Sequence, residues 1–297
     1  YLSSKFQTMI TELNSAFKHI VYTDKTHQYF DKSTGEELMS ITKAISKLKE
    51  PFDSRFWSTI KAYEFSGCST KQIWLKGGGY DNTYFKADGV KISVFDNHDQ
   101  LSVTPEKVSA QWGIDSLVGR VRGSWSHAFL ENLENRLIDK PKIEIPPGLT
   151  TVQAVSYIRT IDIAEKLCVQ FVDEFDFLIP VAIEYKVGDS KAGIAGTPDR
   201  LYWNTQVEEL QIWDFKTDKK IASSNKYQKL KLFDLDDCEI SKYSVQTSAY
   251  KWIIESNTNL KLGGSYIVHL NLKDERLDVH PCIDLTKQIA DIDWRNL

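Results

Sequence analysis

The chain has no run of eighteen or more apolar residues, which argues against a membrane-spanning helix. It has four cysteines, Cys68, Cys168, Cys238 and Cys282, and no C-x-x-C pair, so it carries neither a zinc nor an iron–sulfur signature. Reduced thiols of an intracellular protein are the simplest reading, because a chain this long needs no disulfide scaffold. Positive charge is not in excess either. Lys and Arg number 37 against 41 Asp and Glu, a net charge of −4, which argues against a nonspecific nucleic-acid coat. A nuclease stays open, since an enzyme needs a positive track only around its cleft. There is no internal repeat, no low-complexity tract, no long Pro/Ser linker and no G-x-x-x-x-G-K-[ST], so no helicase motor is expected. The first residue is Tyr1, as in a trimmed chain, and "YLSSKFQTMITELNSAF" lacks the basic and apolar regions of a signal peptide.

What is present is ordinary for a globular protein: 297 residues, 41% hydrophobic, 26% charged and 12% aromatic, enough for one large domain or two small ones. "HIVYTDKTHQYFDKSTGEELMSITKAISKLKE" reads as a hairpin turning at Ser33–Gly35 and a helix with Thr42 near its start. Residues 66–104 are turn-rich and aromatic, an irregular or small β insertion. There Tyr80, Tyr84 and Phe85 are suited either to core packing or to stacking on bases. From Thr104 the spacing predicts a long helix, broken near Gly123, and a second over "TVQAVSYIRTIDIAEKLCVQFVDEF". Three strands follow, "LIPVAIEYKV", "AGIAGTPDRLYW" and "ELQIWDFKT". A helix "EISKYSVQTSAYKWIIES", a strand "GSYIVHLNL", a hairpin partner "RLDVHPC" and a short helix complete the chain. The order helix, three strands, helix, strand implies an α/β fold with a mixed sheet flanked by helices.

Two of these strands carry charge where valine and isoleucine are usual. Residues i and i+2 of a strand share a face, so Asp214 and Lys216 point together while Phe215 points away. Asp199 lies fifteen residues earlier, and a hairpin around Asn204–Gln206 would set it beside Asp214. Carboxylates held this close repel unless a cation neutralises them, and oxygen ligands suit Mg²⁺ or Mn²⁺. On the preceding helix, Gly123 permits close approach while His127 and Glu131 share a face; on the following one, Gln246 and Tyr250 do. Each motif alone is weak: D-x-K usually marks a surface ion pair, a helical histidine a packed residue, the lysine run of residues 216–231 a solvated loop.

As an ordered set they resemble the RecB-type branch of the PD-(D/E)XK nuclease superfamily, phage-type exonucleases among them. The resemblance runs through Gly123–His127, Glu184 in "AIEYKV", GTPD ending at Asp199, DFK at Asp214–Lys216 and Gln246–Tyr250, roughly residues 110–270. It implies a restriction-endonuclease-like core over residues 106–297, with an N-terminal hairpin and helix extension over 1–105 packed on it. It further implies that His127, Asp199, Asp214 and the Phe215 carbonyl ligate a catalytic Mg²⁺ or Mn²⁺. Glu184 would hold a second metal or orient a water, and Lys216 would position or deprotonate the attacking water. Gln246, Tyr250, Arg120, Arg122 and Ser124 would contact DNA. The implied protein is a metal-dependent deoxyribonuclease, foremost an exonuclease of recombination, repair or phage DNA processing. It would act on DNA ends in the cytoplasm of a bacterial or phage-infected cell, with a single-strand-annealing or recombination protein as a possible partner. The alternatives are a structure- or sequence-specific endonuclease on the same core and a non-catalytic nucleic-acid-binding protein. The close C-terminal cysteine spacing of the branch's iron–sulfur subgroup is missing, which excludes that cluster.

Overall fold

The computed structural model describes the chain except residues 1, 24, 50, 67–68, 75–79, 88–89, 94–100, 138 and 226–227; for the strands of residues 69–93 it describes only the backbone pairing. The protein is mixed α/β and divides into two compact units: residues 1–50, 122–143 and 156–297 in one, 51–121 and 144–155 in the other. No helix among the described residues is long and apolar enough to cross a membrane.

The first unit is built on a five-stranded sheet in the order β15-β14-β11-β10-β7. Its strands are β7 (Leu178–Ile183), β10 (Arg200–Asn204), β11 (Glu209–Lys216), β14 (Leu262–Asn271) and β15 (Arg276–Pro281). Only β11 and β14 run parallel; the remaining pairs are antiparallel, so the sheet is mixed. Helix α6 (Glu239–Asn257) supplies the crossover from β11 to β14 that a parallel pair needs. Strand β11 is buried from Leu210 to Phe215, the mark of a strand covered on both faces. One face carries Trp213 and Phe215 against Phe171 of α5 (Thr151–Glu174), with ring centroids 5.9 and 4.8 Å apart. Ile212 lies on the opposite face, in an apolar cluster with Val245, Ala249 and Ile253 of α6.

Helix α6 buries five small residues, Ser241, Ser244, Thr247, Ser248 and Ala249, beside the larger Val245, Tyr250, Ile253 and Ile254. The hydroxyls are used. Ser244 Oγ accepts from the Ile283 N–H at 3.0 Å and Ser248 Oγ from the Leu285 N–H at 2.9 Å, tying the chain after β15 to the helix.

A second five-stranded sheet, β1-β2-β3-β9-β8, comprises Ile20–Thr23, Gln28–Asp31, Glu37–Ser40, Ile194–Gly196 and Val187–Asp189 in that spatial order. This corrects two expected strands. "LIPVAIEYKV" is β7 and β8, and "AGIAGTPDRLYW" is β9 and β10, each shared between the two sheets. The first breaks at Glu184, whose φ of 43° lies in the left-handed region. The second breaks at Thr197–Pro198, where proline lacks the N–H that a ladder needs. The hairpin at Ser33–Gly35 is present, with Gly35 at φ 76°, and Ser40 caps α2 (Ile41–Lys47) by accepting the Lys43 N–H. The opening residues form a further helix, α1 (Leu2–Phe17), which buries Met9, Leu13 and Phe17 at intervals of four.

The second unit holds α3 (Ser54–Phe65) and an antiparallel three-stranded sheet, β4 (Ser69–Trp74), β5 (Tyr80–Ala87) and β6 (Val90–Ser93). The expected β insertion is therefore present, while the side chains of Tyr80, Tyr84 and Phe85, and Cys68, fall outside the described residues. Helix α4 (Pro105–Glu134) begins in this unit and continues into the first without the expected break at Gly123. A mid-helix glycine costs only about 1 kcal/mol relative to alanine, and burial of Trp125, Phe129 and Leu130 just beyond outweighs it. Among the described residues Cys168, Cys238 and Cys282 are free thiols.

Gly196 is the tightest glycine of the second sheet. A Cβ there would lie 2.5 Å from Tyr250 Cε1. Gly196→Ala should destabilise the protein by roughly 1–3 kcal/mol, read as a lower urea midpoint at unchanged slope.

Candidate functional site

Asp199, immediately before β10, and Asp214, on β11, stand side by side, because β10 and β11 pair with Arg200 opposite Trp213. The Phe215 N–H donates to Asp199 Oδ2 at 2.8 Å, fixing the carboxylate against the neighbouring strand. From α4, the His127 Nε2–H donates to the Phe215 carbonyl at 3.2 Å and lies 3.7 Å from Asp199 Oδ2. Its Nδ1 lies 3.6 Å from Glu184 Oε1. The left-handed backbone at Glu184 is held by its own N–H donating to the Asp199 carbonyl at 2.8 Å. Glu184 and His127 line a cleft of about 330 Å³ with Gly123, Ser124, Ala128 and Glu131.

Asp214 is 1% exposed, and the Lys216 ammonium lies against its Oδ2. Oδ2 is closed off from solvent, so the ammonium is the group that answers its charge. Burial, reinforced by the Asp199 charge, pushes the Asp214 carboxyl up to about 6 against the pull of Lys216. Burial would lower the lysine, but Asp214 and Asp199 outweigh it and hold the ammonium well above its ordinary range. His127 is likewise raised: burial opposes its charge, and Asp199 and Glu184 overcome that. Asp199 ends below the usual carboxylate range although burial pushes it up, because His127, Lys216 and the Phe215 N–H favour the anion.

A divalent cation can be weighed against this donor set. His127 Nε2, Asp199 Oδ2 and the Phe215 carbonyl converge, and Asp214 offers a buried oxygen that the Lys216 ammonium now answers. His127, Asp199 and Asp214 nevertheless do not bring three donor atoms within 4.8 Å of one another. Lys216 holds Asp214 in the arrangement seen, so a cation would compete with the ammonium for Oδ2, and His127 Nε2 would have to give up its proton. The residue types fit the cation.

The remaining expected residues fall in different places. Ser124 is exposed beside the cleft. Gln246 is partly buried and donates to the Tyr250 hydroxyl at 2.9 Å. Tyr250, expected to contact DNA, is 2% exposed and packs on Gly196, so its ring supports the floor of the site and presents nothing to a ligand. Arg122 is also turned inward. Its Nη2–H donates to the Thr217 carbonyl at 2.9 Å, which braces the turn after Lys216. Arg120 belongs to the second unit, where its Nη1–H donates to Ser116 Oγ at 3.2 Å. A Cβ at Gly123 would come no nearer than 3.8 Å to Thr217 Oγ1, so packing does not require a glycine there.

Three residues that the motifs did not name hold the site together. Arg200 is fully buried; its Nε–H donates to Glu134 Oε2 at 2.7 Å, Nη1–H to the Asp199 carbonyl at 2.8 Å, and Nη2–H to the His127 carbonyl at 3.3 Å. The Tyr202 hydroxyl donates to the other oxygen of Glu134. One guanidinium thus fastens the helix bearing His127 to the strand bearing Asp199. The available signal was the arginine in "PDRLYW": a charge on a buried strand needs a carboxylate, and "ENLENR" on α4 supplies it. Beyond Lys216, a cavity of about 640 Å³ is lined by Lys49, Lys219, Lys220 and Lys242, with Asp218 and Glu239 among them. No protein-family model and no curated protein matches this chain.

Two outcomes follow from this geometry. Arg200→Met should cost about 3–5 kcal/mol by stranding buried Glu134, and much of that loss should return in Arg200→Met/Glu134→Leu, as urea unfolding would read. The second concerns pH. Asp214 and His127 both have folded-state values raised above their unfolded ones, so their contribution is full at low pH and fades as pH rises through those values. Metal-free protein should therefore lose thermal stability as pH rises from about 4 to about 6, where Asp214 ionises, and further above about 6.5 as His127 loses its proton; Asp214→Asn should flatten the lower part of that decline.

Proposed function

We propose that this chain is a metal-dependent deoxyribonuclease of the RecB-type PD-(D/E)XK branch, built on a restriction-endonuclease-like core and acting as an exonuclease on DNA ends. One observation carries the reading: Asp199, Asp214, Lys216 and His127, from two strands and a helix, share one buried neighbourhood with the Phe215 carbonyl. The succession α5, β7, β10, β11, α6, β14 agrees with the helix, three strands, helix, strand order of that core. A protein that merely bound DNA would gain nothing from two buried carboxylates facing a phosphate.

Asp199, Asp214, His127 and the Phe215 carbonyl would hold a Mg²⁺ or Mn²⁺ ion. When bound, such an ion supplies Lewis acidity toward a phosphoryl oxygen and offsets the repulsion between the two aspartates. Lys216, kept charged by its carboxylate neighbours, stabilises negative charge growing on the phosphoryl oxygens and does not take a proton. Glu184 is about half exposed at the cleft, and its bond to His127 keeps it ionised below its ordinary value, so it orients the attacking water and accepts its proton. At the cavity beyond Lys216, Lys49, Lys219 and Lys220 offer contacts to the phosphate backbone, which fix register without reading sequence, while Lys242 is paired with Asp237 and Glu239.

The test is digestion of end-labelled linear duplex, single strands and a covalently closed circle in Mg²⁺ and in Mn²⁺. Linear DNA should be degraded from its ends and the circle spared, while Asp214→Asn and Lys216→Ala each lower the rate by at least about 10²-fold. Cutting of the circle would replace the exonuclease with an endonuclease on the same site. Full activity in either variant would remove the assignment of these residues, and no cleavage of any substrate would leave a binding protein.

A further inference from the structure

On the other side of β14 from β11, strand β15 carries a separate group of donors that the nuclease reading does not use. His269 on β14 pairs with Asp278 on β15, and His280 lies two residues further along, on the same face as Asp278. Each of the three offers one ligand atom, and these atoms lie within 4.8 Å of one another, the one such histidine, cysteine and carboxylate group among the described residues. We propose that His269, Asp278 and His280 form a binding site for a divalent cation of the zinc class. This inference is independent of the proposed nuclease centre.

The chemistry of the donors points to that class. Two imidazoles and a carboxylate suit Zn²⁺ and its neighbours, whereas Mg²⁺ and Ca²⁺ favour all-oxygen shells. His269 is 2% exposed, and its Nε2–H donates to the Asp218 carbonyl at 2.8 Å. That bond fixes the tautomer and leaves Nδ1 as the free lone pair, 3.7 Å from Asp278 Oδ2. An imidazole whose far N–H is anchored to a carbonyl is the usual support of a metal-ligating histidine. His280 Nε2 is buried without a hydrogen-bond partner, a cost that a cation bound through the ring would remove. The competing cation is internal. Arg276 Nε lies 2.8 Å from Asp278 Oδ1 and 3.0 Å from Oδ2, and Asn271 Nδ2 approaches Oδ2 at 3.4 Å. The Arg276 side chain is 63% exposed, so it can swing into solvent when a metal takes its place. Water would supply the fourth position of a tetrahedral shell.

The site would also reach the nuclease side of the sheet. Through the Asp218 carbonyl it holds the turn after Lys216, whose Asp218 carboxylate accepts from the Tyr243 hydroxyl and whose Thr217 carbonyl accepts from Arg122. A cation here clasps the edge strand and stiffens that turn.

The experiment titrates the full chain, stripped by chelator, with Zn²⁺ alone by calorimetry, and records the visible spectrum with Co²⁺ alone. Wild type should take up a zinc equivalent that persists in Asp214→Asn and weakens at least tenfold in His280→Ala and in Asp278→Asn. Zinc should raise the Tm of wild type and Asp214→Asn but not of His280→Ala, and Co²⁺ should give tetrahedral absorption bands lost in that variant. Zinc binding in His280→Ala equal to wild type, loss of all zinc in Asp214→Asn, or absence of the Co²⁺ bands from wild type would each overturn the proposal. The cobalt spectrum of wild type decides the matter even if a variant fails to fold, and DNA cleavage plays no part in it.

Discussion

A carboxylate at 1% exposure, beside a second carboxylate, sets the terms for everything around it. Asp214 sits in a strand covered on both faces, where an unpaired charge is among the costliest things a fold can hold. Lys216, two residues on and on the same face, answers it with an ammonium, and Asp199 adds negative charge that keeps the ammonium in place. Three formal charges thereby share a low-dielectric pocket, and they leave one net negative charge when His127 is uncharged. A centre in that state is disposed to take a proton or a cation, and the raised values of Asp214 and His127 express the first option.

The polar groups beneath and behind this centre act on its geometry, not on its chemistry. Arg200 gives one hydrogen bond to the backbone carbonyl of Asp199 and one to that of His127, and its charge is answered by Glu134. Tyr202 satisfies the remaining oxygen of that carboxylate. A buried network with all its members paired is rigid, because loss of any one bond exposes the next to a low-dielectric interior. Arg122 and His269 extend the same restraint to the turn after Lys216, by donating to its Thr217 and Asp218 backbone carbonyls.

The sheet explains why such groups can be so close without crowding. Antiparallel pairing of β10 with β11 brings the start of one strand beside the end of the other, where side chains need not be large. Parallel pairing of β11 with β14 demands a crossover, and α6 meets that demand, burying small hydroxyl residues beside larger apolar ones. Tyr250 then fills the space above Gly196, where the second sheet passes nearest.

The sequence by itself determined the α/β character, the long helices flanking the strands, the crossover helix and the shared face of Asp214 and Lys216. These follow from local periods of 3.6 and 2, which a short window of residues displays. Tertiary structure alone decided where the strand segments divide. The left-handed backbone at Glu184 and the proline after Thr197 divert chain into a second sheet, and only the partners waiting there, β3 foremost, make that diversion favourable. It also decided which polar residues face inward. Tyr250 and Arg122 read as surface contacts because their letters are compatible with exposure, yet both are claimed by residues far away in the chain, Gly196 and Thr217. Arg200 and Glu134 are sixty-six positions apart, and the histidines of the β14–β15 hairpin meet their aspartate only through strand register. Separations of that kind leave no local period to read, since burial and pairing are properties of the assembled chain.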